Sequence, residues 1–297
     1  IEFHKDRAYL ESVGRPSPGV EIKVFSDQGK EVPEGEEGEL CVKGDHVCHS
    51  YWNTTEAIFR NDLSLVKLLV KYGADINMLS EDNDAYTPLE TACYYGKIDI
   101  VNYLLSIKCS LDDDSLRIAA LMGYSTIVKI LIANGADVNR LDAWLSTPIH
   151  WAVQESEIDI VKILIENGAD INILDGTGQT PLYIAAGENY CDILELLLNN
   201  NADIDYTEST SPFMIACAFD NYESAKMLLE HGADINFVDD DGRTALFYAK
   251  VRKVDKLVNF LLDNGASTDI VDYTGVSISD LDDDEIRDRL YEELFDF

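Results

Sequence analysis

One five-residue phrase returns along this chain at a fixed interval, and that interval limits the fold more than any other feature. It reads Gly73-Ala74-Asp75-Ile76-Asn77, Gly135-Ala136-Asp137-Val138-Asn139, Gly168-Ala169-Asp170-Ile171-Asn172 and Gly232-Ala233-Asp234-Ile235-Asn236. Looser copies stand at Asn201-Ala202-Asp203-Ile204-Asp205 and Gly265-Ala266-Ser267-Thr268-Asp269. Gly135 to Gly168, Gly168 to Asn201 and Gly232 to Gly265 are each 33 positions apart. Such a period marks stacked units, each too small to bury its apolar face alone, and a chain built this way usually binds rather than catalyses.

A second phrase keeps step with the first: Thr87-Pro88-Leu89-Glu90, Thr147-Pro148-Ile149-His150, Thr180-Pro181-Leu182-Tyr183, Ser211-Pro212-Phe213-Met214 and Thr244-Ala245-Leu246-Phe247. Each is followed by an alanine: Ala92, Ala152, Ala185, Ala216 or Ala249. Proline there opens a helix, where its missing N–H costs nothing. Between the phrases run apolar residues at helical spacing, such as Ile100, Val101, Leu104 and Leu105, or Ile160, Val161, Ile163 and Leu164. Each unit is therefore a helix pair, with a short alanine-lined first helix and a second that ends at a left-handed glycine cap. Two phrases in register over about residues 57–271 resemble the ankyrin repeat, in which a β-turn finger precedes two antiparallel helices. The expected fold is mainly α: a solenoid of six to seven helix pairs, preceded by a small β-rich segment (1–56) and followed by a capping helix (272–297).

The register slips. Val66 to Val101 is 35 positions, but Val101 to Val128 is only 27. The second slip deletes most of a finger and leaves Cys109-Ser110-Leu111-Asp112-Asp113-Asp114 in place of the turn. A blunt finger, a weakened first helix and a weak joint near residues 106–118 are expected there.

Charge excludes some partners. The chain holds 56 acidic and 23 basic residues, a net of −33, which repels phosphate backbones and favours basic polypeptides. Residues 1–56 hold 12 acids and 6 bases, so the repeats carry the field. No run approaches the ~20 apolar residues of a membrane span, and Glu2, His4, Lys5, Asp6 and Arg7 interrupt any signal-peptide core. Ile1 in place of Met reads as a piece of a longer chain. The six cysteines show no CxxC spacing, which indicates small core residues in a reduced, intracellular compartment, cytoplasmic or nuclear.

Residues 9–53 follow a different pattern. Val20-Glu21-Ile22-Lys23-Val24 and Gly38-Glu39-Leu40-Cys41-Val42-Lys43-Gly44 alternate with period two around the turn Ser26-Asp27-Gln28-Gly29. With Ser12-Val13-Gly14-Arg15-Pro16, Gly29-Lys30-Glu31-Val32-Pro33 and Tyr51-Trp52-Asn53, this string resembles one region of the AMP-forming adenylating enzymes, the acyl-CoA synthetase and luciferase superfamily. That family also needs an upstream Ser/Thr/Gly-rich phosphate loop, an acidic magnesium motif, a downstream Thr-Gly-Asp and a C-terminal lysine. None of these is present here, and Ser50 replaces the glycine usual before the tyrosine. The resemblance leaves two origins open for the segment: a fused relic, or the end of a synthetase that lies upstream in a longer parent chain.

Cys41, His46, Cys48 and His49 are the only local set of soft metal ligands, and six residues separate the two cysteines without a second pair. A strand cysteine and loop histidines are expected, with no metal and no cofactor. The ankyrin resemblance implies that His150 hydrogen-bonds within and between units. It also implies that the two residues after the alanine pair face the concave groove: Tyr94-Tyr95, Leu121-Met122, Gln154-Glu155, Gly187-Glu188, Ala218-Phe219 and Val251-Arg252. Tyr94, Tyr95, Leu121, Met122 and Phe219, with Trp144 in a finger, are the candidate partner-binding residues, because large rigid side chains dominate binding hot spots. Packing between units is the competing role for them. From Asp280 onward nine acids precede or flank Ile286, Leu290 and Leu294, a pattern that fits a capping helix with acids at its positive end.

The expected function is a non-enzymatic adaptor for a basic protein partner with apolar anchors; the rival is a fragment of an AMP-forming acyl-CoA or acid–thiol ligase fused to ankyrin repeats that recruit a partner. Without a phosphate cradle and a cation for the developing charge, adenylation fails. The purified chain, given ATP, magnesium and a fatty acid, is expected to release no pyrophosphate; release above background would favour the rival.

Overall fold

The computed structural model describes residues 21–25, 39–43, 51–71, 73–80, 86–111, 114–206 and 209–295. The chain is mainly helical and divides into two compact units, Ile1–Ala136 and Asp137–Phe297.

In the first unit, β1 (Glu21–Phe25) pairs antiparallel with β2 (Glu39–Lys43), Ile22 opposite Val42 and Val24 opposite Leu40. This hairpin is the described part of the segment expected to be β-rich; the rest of residues 1–50 lies outside the described residues. Three helix pairs follow: α1 (Tyr51–Phe59) with α2 (Leu63–Lys71), α3 (Pro88–Tyr94) with α4 (Ile98–Ser106), and α5 (Ser115–Leu121) with α6 (Ser125–Ala133). Helix α1 starts earlier than the sequence pattern indicated, so Tyr51-Trp52-Asn53 closes no extended segment. Thr54, Ala57 and Ile58 are buried at i, i+3 and i+4, one helical face that carries the turn back to Tyr51.

The second unit holds α7 (Pro148–Gln154) with α8 (Ile158–Glu166), α9 (Pro181–Gly187) with α10 (Cys191–Asn199), α11 (Pro212–Ala218) with α12 (Tyr222–Glu230), and α13 (Ala245–Val251) with α14 (Asp255–Asp263). A 3-10 turn (Asp280–Asp282) and α15 (Asp284–Phe295) end it. Within each unit, first helices pack on first helices and second on second. The core is repetitive. Ala92, Ala152, Ala185, Ala216 and Ala249 are fully buried in the first helices, and Ile100, Val101, Leu104, Ile160, Val161 and Leu164 in the second.

Local chemistry sets these boundaries. Thr87, Thr180, Ser211 and Thr244 each accept the backbone N–H three residues on, capping the first helices. Every second helix ends in a residue of positive φ, at Gly73, Lys108, Gly135, Gly168, Asn201, Gly232 and Gly265. Lys108 and Asn201 take this conformation without glycine, so the cap outlasts the phrase that announces it.

Units are joined by side chains that reach the next finger. Asn77 Oδ1 accepts from Ser110 N (2.8 Å), Asn139 Oδ1 from Asp170 N (2.7 Å), Asn172 Oδ1 from Asp203 N (2.9 Å) and Asn236 Oδ1 from Ser267 N (2.7 Å). The fourth residue of the Thr-Pro-Leu phrase makes a second link. Buried His150 places Nδ1 at Thr147 N (3.1 Å) and Thr147 Oγ1 (2.9 Å) and points Nε2 at the carbonyls of Ile173 and Gln179 (both 3.2 Å), as the resemblance implies.

Glu90 holds the same position ahead of the shortened finger. Its Oε2 accepts from Thr87 N (2.7 Å) and its Oε1 from Asp114 N (2.9 Å). The shortened finger presents an N–H where a complete one presents carbonyls, and the sequence answers with an acceptor in place of a donor. Helix α5 keeps the seven-residue length of α3 and α7 and buries Ser115, Leu116, Ile118, Ala119 and Ala120, but it starts without the side-chain cap and the proline that they have.

The tail attaches through apolar contact and ions together, with Ile278, Leu281 and Leu290 buried. Of the line Ile286, Leu290 and Leu294, only Leu290 is buried. Lys250 pairs with Asp282 (2.7 Å), Lys253 with Asp288 (3.1 Å) and Arg243 with Glu293 (3.4 Å), and the Arg252 guanidinium lies 5.0 Å from the centre of the Phe295 ring.

Two expectations follow. Glu90→Ala removes the side-chain acceptor of the buried Thr87 N–H and of the half-buried Asp114 N–H and should cost about 1–3 kcal/mol, with faster exchange of the Asp114 amide; Glu90→Gln should recover part of the loss in urea unfolding. Burial holds the His150 imidazole below its ordinary 6.5, against the opposing pull of Asp175 and Asp142. The folded state then binds fewer protons than the unfolded chain, so this contribution is complete above about pH 6.5 and is lost as pH falls toward the folded value. His150→Gln should flatten that step in unfolding midpoints measured across the range; an unchanged step would place its origin elsewhere.

Candidate partner-binding surface

All six residue pairs expected to face a groove fall at one structural position, the last residue of a first helix and the residue after it, from Tyr94-Tyr95 through Val251-Arg252. Each first helix ends there because the next residue but one turns left-handed, as at Gly96, Gly123, Ser156 and Asp220. Within each compact unit, the side chains of these pairs thus stand at the same end of successive first helices. Tyr94, Tyr95, Leu121 and Met122 belong to the first unit, Trp144 and Phe219 to the second.

In the first unit Tyr94 and Tyr95 are exposed and their rings meet edge to face, 5.1 Å between centroids. Phe59 meets Tyr95 at 5.2 Å and Tyr86 meets Tyr94 at 5.8 Å, which makes a run of four rings. Phe59 and Tyr86 were not legible as site residues. Phe59 ends α1, the position Tyr94 holds in the next pair, but its unit lacks the Thr-Pro-Leu phrase that would have set the register. Leu121 and Met122 are half-buried, so they offer less surface than the sequence promised. Beside them, Tyr124 packs so closely on Gly96 that a Cβ there would lie 2.8 Å from the ring.

In the second unit Trp144 is 62% exposed, with Leu141 at 46% and Leu145 at 54% on either side of it. The finger that carries them is braced from below. Asp142 Oδ1 accepts from Trp144 N (2.8 Å) and Ser146 N (2.9 Å), while Oδ2 accepts the Trp151 indole N–H (2.8 Å). The Trp151 ring meets Trp144 at 5.8 Å. Gly176 donates to the Trp144 carbonyl (2.9 Å), and any Cβ at Gly176 would lie 2.5 Å from that oxygen. Leu145 has φ 57°, whereas the later fingers put Gly178, Gly242 and Gly275 at this turn. A left-handed leucine costs about 1–2 kcal/mol. Phe219 is half exposed, and the carbonyl of the preceding Ala218 accepts from Arg252 Nη1 (2.8 Å).

The surroundings are acidic. Residues 137–297 hold 34 acidic and 10 basic residues. Burial, then Glu188 and Glu155, raise the Tyr190 pKa, so two of the expected groove positions in this unit carry carboxylates close to one phenol. Burial, together with Asp234 and Asp203, raises Asp205 as well.

For metal chemistry, no group of three or more His, Cys, Asp or Glu stands ready to hold an ion among the described residues. Cys41 lies in β2, and His46, Cys48 and His49 lie outside the described residues. Cys93, Cys109 and Cys217 are buried, and burial pushes the Cys217 thiol far up, away from reactivity. Among the described residues no helix is long and apolar enough to cross a membrane.

Comparison with known proteins agrees with this geometry. Residues 54–115, 116–208 and 202–272 match the family described as ankyrin repeats (3 copies), and residues 1–52 match the AMP-binding enzyme family. An ankyrin repeat protein of Rickettsia bellii is 34% identical over 104 residues, 35% of this chain and 41% of its own length. Mouse protein phosphatase 1 regulatory subunit 27 is 47% identical over 57 residues, 19% of this chain and 36% of its own. A long-chain-fatty-acid–CoA ligase of Escherichia coli is 45% identical over 64 residues, 20% of this chain but 10% of the ligase. The chain spans less than half the length of each of these relatives. The family match runs through every helix pair described above, and on it the chain belongs to the ankyrin-repeat family.

Proposed function

We propose that this chain is a non-enzymatic scaffold that holds a basic polypeptide through its exposed aromatic residues. The observation that carries the reading is the run Phe59, Tyr95, Tyr94 and Tyr86, in which the first three rings meet edge to face and Tyr86 lies tilted against Tyr94, while Phe59, Tyr94 and Tyr95 remain open to solvent. Tyrosine offers large contact area at small entropic cost. The acidic surplus supplies long-range attraction for a basic partner, setting the encounter rate, while the rings that the partner covers set residence time. Similarity to a phosphatase regulatory subunit, a protein named for acting on another protein, is in keeping with this role. In this reading residues 1–56 are an adenylating-enzyme fragment, 57–271 the binding array, and 272–297 a cap for its last pair, working without a cofactor inside the cell.

A second reading is favoured by the match of residues 1–52 to AMP-binding enzymes: a piece of a ligase to which repeats have been joined for recruitment. Pyrophosphate release separates the two.

A pull-down with the full chain, read by mass spectrometry, should yield a basic partner whose capture falls as salt rises. Tyr95→Ala should raise the dissociation rate of that partner about tenfold for each 1.4 kcal/mol lost and leave the unfolding midpoint nearly unchanged. A substitution that unfolds the chain while binding persists would assign Tyr95 to packing and move the interface elsewhere.

A further inference from the structure

Three facts converge on the tip of the finger at residues 141–145. It exposes three large apolar side chains out of five residues, Leu141, Trp144 and Leu145. It keeps a leucine at φ 57° where the later fingers use glycine, so the fold bears a strained conformation that removing the side chain would relieve. And it is rigid: the Asp142 carboxylate, the Trp151 ring and the Gly176 backbone hold Trp144 from three sides. Exposed apolar area at a strained turn does nothing for folding. Preorganised apolar area is what a binding hot spot requires, because the ordering cost is met before the partner arrives.

From this we infer that residues 141–145 are a protruding docking knob, whose ligand is a basic polypeptide with apolar side chains that close over Trp144 and Leu145. This rests on the partner-binding reading and deepens it, since that reading concerns the rings of the first unit. The basic character follows from charge. Asp175 belongs to the finger whose Gly176 clasps Trp144, and Glu155 and Glu188 gather at Tyr190 in the same two helix pairs. The knob projects, so the ligand supplies the cleft; a flat or acidic surface would leave the indole wet and the carboxylates repelled.

The probe is a random-peptide display library selected on the full chain at low salt. Enriched peptides should combine Lys or Arg with several apolar residues. Synthetic copies should bind Trp144→Ala about tenfold more weakly and Leu145→Gly at least threefold more weakly than the parent chain, the range expected of a hot spot and its neighbour. Leu145→Gly should at the same time raise the midpoint of thermal unfolding by about 2 °C, a gain in stability with a loss of binding that a packing role does not produce. Peptides that bind both variants as well as the parent, or enriched sequences that are acidic, overturn the inference. Dependence on Tyr95 alone would overturn it while leaving the partner-binding reading standing. Self-association of the chain that Leu145→Gly abolishes would also overturn it, since the ligand would then be a second copy.

Discussion

The backbone polar groups that a helix pair cannot satisfy by itself hold this protein together, and the next pair satisfies them. Asparagines at the end of one unit accept N–H groups from the start of the next. His150 and Glu90 reach forward in the same way from the first helix. Each such bond contributes only about 1 kcal/mol net, but an unmet buried partner costs more. The apolar helices provide most of the burial, and the forward-reaching polar side chains fix how one unit follows another.

That dependence explains how the chain tolerates a missing finger. Where residues 109–114 replace a full turn, the forward link changes from imidazole to carboxylate, because the group to be met changes from carbonyl to N–H. Asp205 shows the limit of such exchange. It stands where other units have asparagine, and its two contacts with Asp234 N are longer, 3.3 and 3.4 Å, with carboxylates at Asp203 and Asp234 raising its pKa further.

The positions proposed to bind a partner are ones that the links do not use. The last residue of each first helix is fixed by the turn that follows it, yet its side chain is free to vary: tyrosine at 94, leucine at 121, glutamine at 154, valine at 251. The fingers vary likewise, from Trp144-Leu145 in one to Thr177-Gly178 in another. Binding chemistry can therefore change without disturbing the alanines, caps and asparagines that build the stack.

The amino-acid sequence by itself determined the helix pairs, their caps, their period and the residue pairs at which the first helices end, because each depends on contacts within one unit, repeated often enough to read. Phe59 was missed because its unit lacks the phrase that sets register, and Glu90 because nothing local says which group a neighbour will present. Tertiary structure alone decided that Phe59 joins Tyr95, that Leu121 and Met122 are half covered, and that Asp142 braces Trp144 and Trp151 together. It also decided that Leu290 alone of the last helix's apolar line is buried, and that Arg243, Lys250 and Lys253 each pair with an acid of the tail. These are pairings through space between residues whose separation along the chain carries no period, and only packing brings them within reach.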